Sequence, residues 1–203
     1  MKLVAITPEL PHRHEVEFIT LILEAGFDYV HLRKPDFDLQ QMRSFIEEIP
    51  QQYRVRLKLH SHFELASEYD VAGLHLNHRA NVVPQTATLS GRLRLSRSCH
   101  AANELVGLDK YEYVFLSPIF DSISKRGYAS RFSQGDLIEI FKHSDTQGKV
   151  VALGGIMPGY MVQLSRLGFA GAAFLGYLFN SETTDELKQK LIIINNTIKC
   201  YNL

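Results

Sequence analysis

Short apolar runs alternate with longer segments of helical period along the whole chain. Leu3–Ile6 is the first run of strand length, and Val16, Ile19 and Leu23 then mark one face of a helix that ends near Gly26. Tyr29–Arg33 follows as a strand. Leu39, Met42, Ile46 and Ile49 form the next helical stripe, with Asp38 placed as N-cap and Pro50 as its stop. Val55–His60 reads as a third strand, followed by a short helical piece at Phe63–Glu68. Gly73–Leu76 is a fourth, before a crossing that the pattern does not define. Leu93–Ser96 is the fifth, leading into Ala101–Val106, and Tyr113–Leu116 is the sixth. After a long loop, Leu137, Ile140 and Phe141 mark another inward helix face. Val150–Leu153 and Ala170–Leu175 are the last two strands, joined by a helix with Pro158 near its start, and Leu187, Leu191, Ile194 and Ile198 make the closing helix. Alternating β and α at this pace predicts a parallel sheet. About eight repeats predict a closed (β/α)8 barrel, one TIM-barrel domain over residues 1–203. An open doubly wound sheet is the competing architecture.

Several middle strands alternate strictly, and the alternation assigns faces. Val30 and Leu32, Leu57 and Leu59, Leu74 and Leu76, and Leu93 and Leu95 form apolar sets that must pack against the helix ring. The opposite faces then point into the barrel. They carry His31 and Arg33, then Arg56, Lys58 and His60, then His75, then Arg92, Arg94 and Ser96. A buried cation is costly unless paired or matched by a ligand. Cations at the closed end can pair with acids from other elements. His31, Arg33 and His60 fall at the C-terminal mouth, where barrel active sites lie, and are candidates to meet an anionic substrate.

Three further stretches carry candidate chemistry. Gly154-Gly155 closes the seventh strand and Gly176-Tyr177 the eighth. Glycine lets backbone N–H groups approach a ligand closely, and two such turns on neighbouring strands can cradle a phosphate; the alternative is a pair of tight turns. In Ser96-Arg-Ser-Cys-His100 the inward parity continues through Ser98 to His100, while Cys99 points outward, so a Cys–His nucleophile pair is disfavoured. His100 is placed for acid–base work, or is simply a residue at a helix start. Ser122, Ser124 and Lys125 suit a phosphate clamp, although a solvated surface loop is the commoner fate of such a run.

Composition narrows the classes. Lys+Arg and Asp+Glu both number 22, so bulk attraction to nucleic acid or to a membrane surface has no support. No apolar run approaches a membrane span, and the run in MKLVAITPEL is too short for the core of a signal peptide. Cys99 and Cys200 lack metal-type spacing, and a cytoplasmic setting is the simplest. Oligomeric state is not set by the sequence; a homodimer is compatible with it.

Together these stretches resemble the thiamine phosphate synthase family and its TenI relatives, over nearly the whole chain. YVHLRKPD is similar to the family's V-Q-L-R-x-K strand, and SPIFDSISK to its G-P-I-F-x-T-x-T-K loop. VVALGGIMP and AGAAFLGYLF are similar to its two phosphate-binding strand ends. The resemblance implies a (β/α)8 barrel and a small phosphorylated heteroaromatic substrate. Two activities are known in the family. The synthase joins a pyrimidine pyrophosphate to a thiazole phosphate using magnesium, whereas a TenI-type tautomerase aromatises a thiazole phosphate carboxylate by moving a proton. Where the synthase pattern has Asn-Asp after strand 3, this chain has His60-Ser61, and where G-x-H-x-G-Q-x-D ends in Asp, it has Ala80. Both carboxylates expected to hold magnesium are missing, and histidine and serine are poor replacements. The glutamine of the strand 2 motif is His31 and its lysine position is Pro35, leaving Arg33. His100 matches the placement of the tautomerase histidine in G-R-S-V-H. The resemblance therefore implies a tautomerase with no metal cofactor. In it His100 moves the proton, the backbone of Gly154, Gly155, Gly176 and Tyr177 holds the phosphate, Lys125 closes over it, and His31 and Arg33 face a ring carboxylate. The synthase, with magnesium held some other way, is the runner-up. A hydrolase with zinc on His12, His14, His60 and His62, joined by His31, His75 and His100, and a binder without chemistry are the remaining alternatives.

Overall fold

In a computed structural model, residues 1–83, 93–121, 130–142, 146 and 148–203 are described. Ser122, Ser124, Lys125 and Arg92 lie outside the described residues. The strands are β1 (Lys2–Ile6), β2 (Tyr29–Leu32), β3 (Leu57–Leu59), β4 (Gly73–Leu76), β5 (Arg94–Cys99), β6 (Tyr113–Leu116), β7 (Val150–Ala152) and β8 (Gly171–Phe174). Each pairs in parallel with the next, and β8 closes onto β1 through Lys2↔Gly171 to Ala5↔Phe174. This is the closed (β/α)8 barrel that the alternation predicts, and the open sheet is excluded.

Helices cover the outside. The helix Leu39–Glu48 starts at Asp38, whose side chain accepts from Gln41 N–H while the Gln41 side chain accepts from Asp38 N–H, a reciprocal cap that fixes its first turn. Met42 and Ile46 then face inward and are fully buried. Pro50 does more than stop this helix: it is the N-cap of a further turn, Gln51–Arg54, and so β3 begins only at Leu57. β5 is displaced toward the C-terminus relative to the expected Leu93–Ser96. Its pairing with β4 (Gly73↔Arg94) and with β6 (Cys99↔Leu116) sets where it starts and ends. Ala102–Glu104 after it is a single 3-10 turn. The closing helix Thr184–Tyr201 is capped by the Thr183 side chain. No helix among the described residues is long and apolar enough to cross a membrane.

The face assignment holds. Val30, Leu32, Leu57, Leu59 and Leu74 point outward and are fully buried under the helices. The barrel interior carries a separate apolar set, Val4, Ile6, Tyr113, Phe115, Val151 and Ala173. His31, Lys58, His75 and Ser96 share that interior and are buried. At the closed end Lys58 Nζ donates to Glu112 Oε2 at 2.8 Å, and Tyr29 Oη donates to Glu112 Oε1 at 2.8 Å. Burial pushes the Lys58 ammonium down to about 8, against the pull of Glu112. Arg56 turns to the rim, donating to the carbonyls of Leu23 and Asp28, and Arg94 is exposed there.

One charge lies on the outward face. Lys34 continues the Val30–Leu32 parity, yet it is buried and paired with Glu15 Oε1 at 2.7 Å. Its Nζ also donates to the carbonyls of Pro8 and Leu10, at 2.8 and 3.2 Å. Lys34 thus ties the loop after β1 to the start of the helix Glu15–Glu24. Burial of a lone ammonium would be prohibitive; here an anion and two carbonyls satisfy its three protons.

Candidate functional site

A cavity of about 1240 Å3 opens at the C-terminal ends of the strands. Arg33 follows β2, His60 follows β3, His100 follows β5 and Gly154 follows β7, and all line this one cavity. Arg33 is partly exposed and pairs with Glu9, Nη1 to Oε1 at 2.7 Å. A ligand carboxylate would therefore meet an arginine that already has an anionic partner.

His31 is not at the mouth. It points into the barrel interior and is fully buried, below the cavity, which it does not line. The expectation that it faces a ring carboxylate is corrected: its two nitrogens are engaged inside the protein. Nδ1 is 2.8 Å from His60 Nε2, and Nε2 is 2.5 Å from Tyr113 Oη. His75 stands beside them, with Nδ1 3.0 Å from Ser96 Oγ and Nε2 2.9 Å from Ser98 Oγ. The rings of His60 and His75 stack at 4.1 Å with 20° between planes. Burial, and the neighbouring imidazoles, push the protonation of His31 and His75 far below the usual histidine range. Burial and then Arg33 push His60 down to about 3. All three rings are neutral at neutral pH.

His100 lies at the cavity wall. Its backbone N–H donates to Glu104 Oε2 at 2.6 Å, and its ring Nδ1 is 3.1 Å from the Ser117 carbonyl oxygen. Ser117 Oγ is 3.2 Å from the same nitrogen. A carbonyl oxygen only accepts, so Nδ1 carries the proton and Nε2 keeps its lone pair, the arrangement a general base needs. Cys99 points the other way, as parity predicts; it is buried, with Sγ 3.7 Å from the Glu104 carbonyl, and burial raises its thiol pKa. Ser117, which fixes the His100 tautomer, carries no signal of that role in the sequence beyond its position directly after β6.

Gly154, Gly155 and Gly176 all line the cavity, on the opposite side from His60. Gly176 opens the short helix Gly176–Phe179, whose first N–H groups have no acceptor within the helix. Tyr177, expected beside Gly176 in the phosphate cradle, does not line the cavity, and its side chain turns toward Phe174 and Lys190. The glycine turn also has a structural reason. Gly154 and Gly155 have φ of +96° and +64°, and a Cβ on Gly155 would stand 2.2 Å from the Asp121 carbonyl oxygen.

Metal ligation can be tested on the donors present. Where the synthase pattern places carboxylates, Ser61 and Ala80 stand, and Asn77 between them spends its Oδ1 on the N–H groups of Arg79 and Ala80. This donor set does not fit magnesium, which wants hard anionic oxygen. The nitrogens of His31, His60 and His75 lie within 4.8 Å of one another. Their near-parallel His60 and His75 planes aim in-plane lone pairs side by side instead of at one point, and hydrogen bonds already occupy most of them. His62 does not join this group, since its Nε2 is 2.8 Å from the Phe37 carbonyl. His12 and His14 pack on Phe18.

Residues 3–178 match the thiamine monophosphate synthase family, TMP-TENI. This chain belongs to the thiamine phosphate synthase/TenI family. It is 24% identical over 193 residues to the thiamine-phosphate synthase of Lactococcus lactis subsp. lactis (strain IL1403), covering 91% of this chain and 89% of that one. The crystal structure of a thiamine phosphate pyrophosphorylase from Bacteroides thetaiotaomicron superposes with a TM-score of 0.84 at 30% identity, covering 98% of each chain. A second such pyrophosphorylase, from Pyrococcus furiosus, has a TM-score of 0.77 at 18% identity, covering 98% of this chain and 96% of that one, and shows the shared fold. Membership makes this an enzyme family of thiamine biosynthesis acting on small phosphorylated precursors.

Proposed function

We propose that this family member is a thiazole tautomerase: it aromatises a carboxylated thiazole phosphate by moving one proton, without a metal. The observation that carries the reading is His100, held at the cavity wall through Nδ1 by the Ser117 carbonyl with Nε2 left basic. Nε2 takes a proton from the substrate ring and the resulting imidazolium returns it elsewhere on the same molecule, so the enzyme ends as it began. Arg33 stands where it can face the ring carboxylate, exchanging Glu9 for it. The backbone at Gly154–Gly155 and Gly176 would take the phosphate, with Ser122, Ser124 and Lys125, outside the described residues, proposed as its clamp. Ser61 and Ala80 stand where the synthase pattern places its magnesium carboxylates, which weighs against the two-substrate condensation.

The synthase is the second reading, favoured by the names of the relatives from Lactococcus lactis and Bacteroides thetaiotaomicron. One comparison separates the two. The purified chain is supplied with the non-aromatic thiazole phosphate carboxylate, and ring aromatisation is followed by ultraviolet absorbance. His100→Asn should lose about 10²–10⁴-fold in turnover, the usual worth of acid–base catalysis, while ligand binding persists. Cys99→Ala should be nearly silent. Magnesium-dependent formation of thiamine phosphate at an enzymatic rate would decide for the synthase.

A further inference from the structure

His60 touches the cavity with a ring held from behind by His31 and Tyr113, neither of which lines it. Its Nε2 is bonded to His31 Nδ1, leaving Nδ1 as the nitrogen available to a molecule at the mouth. His31 Nε2 is in turn bonded to Tyr113 Oη, and both His31 and Tyr113 are fully buried. In such a column the protons must all run in one sense. Either Tyr113 donates to His31, His31 donates to His60, and His60 Nδ1 bears a proton; or every bond is reversed and His60 Nδ1 is bare.

The chemistry of the two partners selects the sense. A phenol O–H is a stronger acid than a neutral imidazole N–H, and an imidazole nitrogen is a stronger base than a phenol oxygen. The 2.5 Å bond therefore runs from Tyr113 Oη–H to His31 Nε2. That leaves the His31 proton on Nδ1, directed at His60 Nε2, and the His60 proton on Nδ1. Burial holds the Tyr113 hydroxyl well above its usual pKa, so it keeps the proton it donates. Ser96 also hydrogen-bonds Tyr113, and His75, clamped between the hydroxyls of Ser96 and Ser98, stacks on His60 and fixes its plane.

We propose that His60 Nδ1–H is a neutral-imidazole hydrogen-bond donor to the anion that forms when the substrate loses its proton, and that Tyr113 and His31 are positioning residues that impose this tautomer. This rests on the tautomerase reading for the identity of the anion, a deprotonated carboxylated ring. A charged imidazolium there would protonate the anion or bind the resting carboxylate equally well. A neutral donor strengthens only as charge develops, which is where a hydrogen bond accelerates the reaction. Neutral histidine used as an electrophile is an established pattern for proton abstraction beside a conjugating group.

The test has two independent readouts. Nitrogen-15 NMR of histidine-labelled parent protein, without ligand, should show both His31 and His60 protonated at Nδ1 and bare at Nε2. In Tyr113→Phe, which keeps the ring and removes the donor, that pattern should be lost for both residues. Tautomerase turnover should fall about 10–10³-fold in Tyr113→Phe with KM within a few-fold of the parent, the scale of one donor lost from a developing anion. His60→Leu should match or exceed that loss, and His60→Gln, which keeps an N–H donor, should recover part of it. An Nε2–H tautomer at His60, or a Tyr113→Phe enzyme with parental turnover, overturns the proposal while leaving the tautomerase reading in place. One equivalent of zinc bound by the parent and lost in His60→Gln would overturn it in favour of a metal site. Absence of tautomerase activity in the parent would defeat the functional reading, and the NMR pattern would still decide the tautomer.

Discussion

Acid should unfold this barrel early, because its interior stores neutral histidines. His31 and His75 are 0% and 1% exposed, and burial holds both far below the ordinary histidine range. In the unfolded chain each titrates near 6.5. The unfolded state therefore binds more protons than the folded one below that point. Their contribution is fully present above about pH 6.5 and is lost as the pH falls toward the depressed folded values. At about pH 5 the unfolded imidazoles lie about 1.5 units into their titration, which costs about 2 kcal/mol for each, or about 4 kcal/mol for the pair. Half-buried His60, held down at about 3, acts in the same direction. Against a typical total of 5–15 kcal/mol this is a large share. Urea unfolding followed by far-ultraviolet circular dichroism at about pH 7, 6 and 5 should show stability falling with a limiting slope of about 4 kcal/mol per pH unit for the three protons. His75→Gln should flatten that slope by about one proton. A urea midpoint that stays constant over this range would refute the neutral interior, and with it the electrostatic basis of the His60–His31–Tyr113 column.

Gly155→Ala should destabilise the protein with no ligand present, by about 1–3 kcal/mol for the left-handed backbone and more for the contact with the Asp121 carbonyl, read as a fall in thermal midpoint. An unchanged midpoint would mean that the turn is held open only for a ligand. Arg33→Met should weaken a carboxylated thiazole phosphate by about tenfold to a hundredfold, and its decarboxylated analogue much less, in calorimetric titration. Equal losses would show that Arg33 does not read the carboxylate.

Periodicity made the barrel legible, since nearly every strand and helix face could be read from where apolar residues recur. What it missed is instructive. Lys34 sits on the apolar parity of Val30 and Leu32, and the lysine position of the family motif falls on Pro35 instead. A lysine on an outward face can only be buried if an acid comes to it, and Glu15, in the first turn of the preceding helix, is that partner. The cations at the closed end need acids from other elements. Glu112, one residue before β6, supplies one for Lys58. The bounds of β5 are fixed by pairing with β4 and β6, and neither register can be read from β5 itself.

Parity settles which face a side chain takes, but it says nothing of depth. His31 and Arg33 share an inward face, as do Lys58 and His60, and each pair is separated by about 6.6 Å along its strand. That single step carries Arg33 into the cavity and leaves His31 sealed below it; it likewise carries His60 to the mouth and leaves Lys58 beside Glu112. Neighbouring strands are staggered by the tilt of the barrel, so depth is a property of the assembled registers and not of any one strand. His31↔Lys58 pair directly across β2 and β3, which puts His60 one step above His31 and brings its Nε2 down onto His31 Nδ1. The residue that looked like a ligand contact becomes the one that orients the contact. A histidine in that sealed layer can act on a substrate only through its neighbour, and Tyr113, also invisible as chemistry in the sequence, is what gives His31 a direction to pass on.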